Sequence, residues 1–100
     1  MDLRKITEGL NERVADGKFL PGKIILFDFG PDGLVRIDGT SEPAAVSNED
    51  GEADCRVKVS MPDFVDIATG KKNAQMAFMT GKVKVTGDLG VAMQLGRILG

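Results

Sequence analysis

The chain has no histidine, no tryptophan, no tyrosine and a single cysteine. Without histidine it lacks the commonest general base and the usual nucleophile partner. Cys55, alone, forms no internal disulfide. One thiol among carboxylates is a poor zinc-ligand set, so neither a metal site nor a cofactor is expected. The longest aliphatic-aromatic run is Ile24 to Phe27, far short of the ~18 apolar residues that suggest a membrane span. Arg4, Lys5 and Glu8 interrupt any apolar stretch near the start, which argues against a secretory signal. Ile98-Leu99-Gly100 is neither a peroxisomal nor an endoplasmic-reticulum address. These absences point to the cytoplasm and away from an enzyme.

What is present suits one ordinary globular domain over residues 1–100, with a hydrophobic fraction of 42%. The net charge of −2 hides an asymmetry. Residues 1–69 hold eight Lys/Arg and fourteen Asp/Glu, a balance of −6; residues 70–100 hold five Lys/Arg against Asp88, a balance of +4. The basic end suits an anionic head group or a transient membrane contact, or is simply a solvated surface.

Leu3, Ile6, Leu10 and Val14 recur at helical spacing and predict a helix over about 2–16, stopped at Gly17. Lys23 to Phe29 reads as a strand, Gly30-Pro31-Asp32-Gly33 as a turn and Leu34 to Asp38 as the returning strand. A short edge strand over Pro43–Val46 and an exposed acidic loop over Ser47–Glu52 follow. Cys55, Val57 and Val59 alternate with polar residues, as do Val83 and Val85. Between these strands, Pro62 and Asp63 open a helix whose stripe is Phe64, Ile67 and Ala68, and Asn73 caps a second short helix carrying Met76, Ala77, Phe78 and Met79. Asp88 caps a last helix running to about Leu99. The pattern is α+β in two layers, with one sheet face under helices and the other wet.

The last helix is apolar at Leu89, Val91, Ala92, Met93, Leu95, Ile98 and Leu99, with Gln94 and Arg97 on one side. That is wider than the stripe an ordinary surface helix buries, so a ligand, a membrane or a partner helix is implied, or burial on several sides. Met61, Met76, Met79 and Met93 supply flexible, polarizable surface, as core filler or as the wall of an adaptable pocket. Several glycine patterns resemble phosphate loops but lack the defining residues: the Gly81–Gly87 segment has no Gly-Lys-Ser/Thr ending, and Gly87 and Gly90 open no βαβ unit. Arg56, Lys58, Lys82 and Lys84 are expected on the open sheet face, but no aromatic interleaves them, so a nucleic-acid partner is not expected. Asp63 and Asp66 lie three apart on one helix and read as a solvated face.

The stretch Ala53-Asp54-Cys55-Arg56-Val57-Lys58-Val59-Ser60, then Asp63-Phe64, then Ala77-Phe78-Met79-Thr80-Gly81-Lys82-Val83-Lys84-Val85-Thr86-Gly87-Asp88-Leu89, resembles the sterol carrier protein 2 family. The resemblance implies a mixed five-stranded sheet with helices packed on one face, enclosing an apolar lipid tunnel. It further implies non-covalent binding of a fatty acid, fatty acyl-CoA, sterol, phospholipid or polyprenyl lipid. An accessory role, docking on a lipid-handling enzyme such as one of isoprenoid-quinone synthesis, is the alternative. Match and helical face together put Phe64, Ile67, Met76, Met79, Leu89, Met93 and Leu95 along the cavity. Leu10 and Val14 are expected on its rim, and a lysine such as Lys71 or Lys72 is expected to orient the head group. Ala74 follows Asn73 where the family often has proline. The chain stops at Gly100, soon after the last helix, where some members carry a segment that shields the ligand or addresses the protein to peroxisomes; neither peroxisomal function nor a fully closed cavity is therefore expected.

Overall fold

The computed structural model describes residues 2–99, the side chains of residues 96 and 97 excepted. Helix α1 spans Leu3–Ala15, its first turn capped by the Asp2 carboxylate, which accepts from the Lys5 amide at 3.0 Å. Ile6, Leu10 and Val14 are its buried stripe. The strands are β1 (Ile24–Asp28), β2 (Leu34–Asp38), β3 (Ala45–Ser47), β4 (Cys55–Val59) and β5 (Val83–Gly87). They form a five-stranded sheet in the order β3-β2-β1-β4-β5. The central β1–β4 pair is parallel and the others antiparallel, so the sheet is mixed. The short edge strand starts at Ala45 rather than Pro43, whose ring nitrogen has no hydrogen for a ladder. Between β1 and β2 the chain makes one 3₁₀ turn over Gly30–Asp32.

Helix α2 (Met61–Ala68) begins a residue before Pro62, under the Ser60 hydroxyl, and buries Met61 and Phe64; Ile67 and Ala68 are only half-buried. Helix α3 (Ala74–Met79) is capped by Asn73. The expected single last helix is two pieces, α4 (Leu89–Ala92) and α5 (Gly96–Leu99). Asp88 does cap α4, accepting from the Gly90 and Val91 amides. The break follows from the ladder: the Gln94 and Leu95 amides reach back three residues, to Val91 and Ala92, and tighten the helix to 3₁₀ pitch. Gly90 and Gly96 weaken the helix on either side. Arg97's expected place on the polar side lies outside the described residues.

The helices cover one face of the sheet. Register stacks Ile37–Ile25–Cys55 and Val35–Phe27–Val57–Val85 across the strands, and these side chains join Ile6, Leu10, Phe64, Ala77, Val91 and Ile98 in one core or pack against it. Gly87 has no room for a side chain, because a Cβ there would sit 2.4 Å from the Asp54 carbonyl oxygen, and its φ is +97°. That close approach lets the Asp88 amide bond the same oxygen at 2.7 Å and fixes where α4 starts.

The opposite face is not simply wet. Leu26, 0% exposed, lies on it between Arg36 and Arg56 of the neighbouring strands. The acidic loop supplies the cover. Arg56 donates to both Asp50 oxygens at 3.2 Å, and the Arg36 Nε donates to the Glu52 carbonyl at 2.9 Å. Residues 48–52 are themselves exposed, but they fasten two guanidinium groups over an apolar side chain.

Candidate functional site

Near β4 and β5 the helical layer stands off the sheet and leaves an apolar cavity of about 560 Å³. Its floor is Phe27, Val57, Val59, Val83 and Val85; its walls are Phe64 and Ile67 of α2, Ala74 and Phe78 of α3, Leu89 and Ala92 of α4, and Met93, Leu95 and Leu99 beyond. Gln75 is the one polar side chain in the lining. The volume falls within the ~300–1,000 Å³ typical of small-molecule sites. The mouth lies between α3 and α4, where Phe78, Leu89 and Met93 line the space and are also exposed, Met93 at 86%.

Phe64 is the partition. Its ring meets Phe27 and Phe29 edge-on, with centroids 5.2 and 5.1 Å away. On its far side lies a second space of about 150 Å³ between α1 and α2, which shares Phe64 and Leu99 with the first. Arg13 of α1 holds this junction, donating to the Ile98 carbonyl at 2.9 Å and the Ala68 carbonyl at 3.5 Å, at the ends of α5 and α2.

The sequence model of the SCP-2 sterol transfer family matches residues 3–100. The chain belongs to that family. Among curated relatives, hydroxysteroid dehydrogenase-like protein 2 of Xenopus tropicalis is 33% identical over 96% of this chain, and human sterol carrier protein 2 is 44% identical over 52% of it. These relatives are far longer: the matches take in 21% of the frog protein and 10% of the human one. Among solved structures, the apo form of sterol carrier protein 2 from Yarrowia lipolytica superposes with a TM-score of 0.68, at 29% identity, over 91% of this chain and 87% of that one.

Within this SCP-2 fold, five of the residues expected along the cavity do line it: Phe64, Ile67, Leu89, Met93 and Leu95. Met76 and Met79 do not. On a helix as short as α3, Ala74, Gln75 and Phe78 share the cavity side and Ala77 faces the core; the methionines, three apart, are turned outward at 59% and 72% exposure. Leu10 and Val14 are core residues, not rim; Leu10 borders the smaller space behind Phe64. Phe78 and the β5 valines were missed as lining, although the strand alternation already placed Val83 and Val85 toward the helices. Lys72 is not free to meet a head group: its Nζ is 2.6 Å from Asp63 and 3.7 Å from Asp66, and neither Lys71 nor Lys72 borders the cavity. The hydrogen bond from Lys72 holds the Asp63 carboxyl below its usual range, so these paired carboxylates serve an ion pair.

Nucleophilic chemistry finds little support in the site. Cys55 is buried at the centre of the sheet, and burial, then the charges of Asp88 and Asp54, push its thiol pKa up, away from the reactive thiolate. Among the described residues no cluster of His, Cys, Asp or Glu is placed to hold a metal, and no helix is long and apolar enough to cross a membrane.

Proposed function

We propose that this chain holds a single long-chain lipid, a fatty acid, fatty acyl-CoA or sterol-like molecule, in the cavity above β4 and β5 and releases it unchanged. The observation that carries the reading is the cavity itself: about 560 Å³, partly open to solvent, with a single polar side chain in its lining. Phe64, Ile67, Leu89, Met93 and Leu95, with Phe78 and Val85, are its proposed contacts. Each buried CH₂ contributes about 0.8 kcal/mol. A sixteen-carbon chain therefore gains on the order of 12 kcal/mol before ordering costs, against about 8 kcal/mol for micromolar binding. Apolar contact alone suffices, so no charged anchor is required. The absence of histidine and the suppressed Cys55 thiolate support a carrier that makes no bond to its cargo.

The test is native mass spectrometry of gently purified protein, organic extraction of what it carries, and displacement of a fluorescent fatty acid. A lipid recovered at near one-to-one is the expected result. A clean apo mass with no uptake of the fluorescent probe overturns the reading.

A second reading has its own support. The curated relatives are long proteins in which the matched stretch is a minor part, one of them a dehydrogenase-like protein. As an accessory unit, the domain presents lipid to an enzyme rather than transporting it. Stoichiometric recovery of an enzyme in a pull-down favours presentation; ligand transfer between vesicles by the lone protein favours carriage.

A further inference from the structure

The open face of the sheet divides into two halves that differ in how their cations are paired. Toward β1 and β2, both arginines are paired: Arg36 with Asp38 and the Glu52 carbonyl, Arg56 with Asp28 and Asp50. Toward β5, Lys58, Lys82 and Lys84 line a shallow groove of about 210 Å³ whose one carboxylate, Asp28, is engaged by Arg56, and among the described residues none of the three lysines has a carboxylate within ion-pair distance. Lys58 and Lys84 stand directly opposite each other in the β4–β5 register. Like charges facing across strands repel. Lysine on an edge strand guards against unwanted strand pairing, and β5 is an edge. That purpose does not account for Lys58, because β4 is paired on both sides; its cross-strand neighbour on β1 is Asp28, whose carboxylate is within ion-pair distance of Arg56 and not of Lys58.

The other side of the same edge is apolar. Val83 and Val85 alternate with the lysines along β5 and face the cavity. Beside them, α3, α4 and the residue that ends α4 carry all five exposed large hydrophobics of the described chain: Met76, Phe78, Met79, Leu89 and Met93. So the β5 edge has the cavity mouth and an exposed apolar rim on one flank, and unpaired lysines on the other. This is the arrangement of an interfacial anchor, in which apolar groups enter the acyl boundary and lysines meet phosphates.

We infer that the β5 edge, with the α3–α4 rim and Lys58, Lys82 and Lys84, is a docking surface for an anionic lipid bilayer, set so that the cavity mouth meets the membrane. The purpose of the contact rests on the lipid-carrying function proposed above; its geometry does not. The −6 balance of residues 1–69 against +4 for residues 70–100 orients the molecule with this edge toward negative charge.

The test is flotation of the full chain with vesicles of phosphatidylcholine alone or mixed with phosphatidylserine, alongside displacement of a fluorescent fatty acid in solution. The chain binds the mixed vesicles on the order of ten-fold more tightly, and Lys82→Glu with Lys84→Glu removes that preference. The same charge change at exposed Lys18 and Lys23, far from the edge in sequence, leaves most of it. Met79→Ser, outside the cavity lining, lowers vesicle binding several-fold. Fatty-acid affinity in solution stays the same in all these variants. Equal binding to both vesicles, or an equal loss from the Lys18 and Lys23 changes, overturns the docking surface. Absence of any vesicle binding also overturns it and leaves the rim to a protein partner. If the wild type takes up no fatty acid yet keeps its preference for anionic vesicles, the docking surface stands and the carrier function falls.

Discussion

Under one face of a single sheet, the helical layer is nearly solid at the β1–β2 end and hollow at the β4–β5 end. Over the first lies α1, thirteen residues long, whose Ile6, Leu10 and Val14 share one hydrophobic core with Ile25, Val35 and Ile37. Over the second lie α3, α4 and α5, of six, four and four residues. A long helix presents a continuous stripe that interdigitates along its length. Short pieces meeting at angles cannot, and the void between them persists because its rim is fixed by hydrogen bonds: Asn73 caps α3, Asp88 caps α4, and Arg13 holds the end of α5. The molecule thus keeps its packed core and its cavity in separate halves, with Phe64 between them.

The largest expected effect is at that boundary. Phe64→Ala removes the partition and costs about 3–5 kcal/mol, the usual range for a buried aromatic. Calorimetry reads the loss, and the joined space takes longer acyl chains than the wild type does. Next comes a matched pair. Leu10→Ala in the solid half costs about 2–5 kcal/mol, whereas Val85→Ala, already bordering empty space, costs about 1 kcal/mol or less. Equal costs in chemical denaturation would show that the two halves do not differ in packing. Filling the hollow is milder still. Ala92→Phe lowers affinity for a fluorescent fatty acid about ten-fold, some 1.4 kcal/mol, and leaves the melting temperature unchanged or raised. The smallest effect is on the far face of the sheet. The hydrogen bond from Arg56 depresses the Asp50 carboxyl below its ordinary 3.8. The loop's contribution is therefore fully present above about pH 4 and is lost as the pH falls through the depressed value. Protection of the Gly51 amide, its exchange rate divided into the intrinsic rate at each pH, should fall there and stay constant between pH 5 and 7.

Much of this layout was legible in the residues. The Leu3-Ile6-Leu10-Val14 spacing located α1, alternation located β4 and β5, and Asn73 and Asp88 announced the caps of α3 and α4. Local chemistry sets such features within a few residues. The break after Ala92 was harder, since an apolar run shows where a helix can pack, not where its ladder tightens, and Gly90 and Gly96 were the only hints. Met76 and Met79 are expected along the cavity from the family resemblance and from helical face. The direction that helix faces is set by its seat against β5, which no period within six residues reveals. The burial of Leu26 depends on three strands in register and a loop folding back from position 50, a long-range arrangement invisible to any local window.

Cys55 has a practical consequence. It is the chain's only thiol, fully covered, with its side chain in the core between Ile25 and the start of α4. A thiol reagent can reach it only when the core around it opens, so its labelling rate is a clock for that opening. That clock needs no engineered reporter, and a guest that braces the hollow half should slow it.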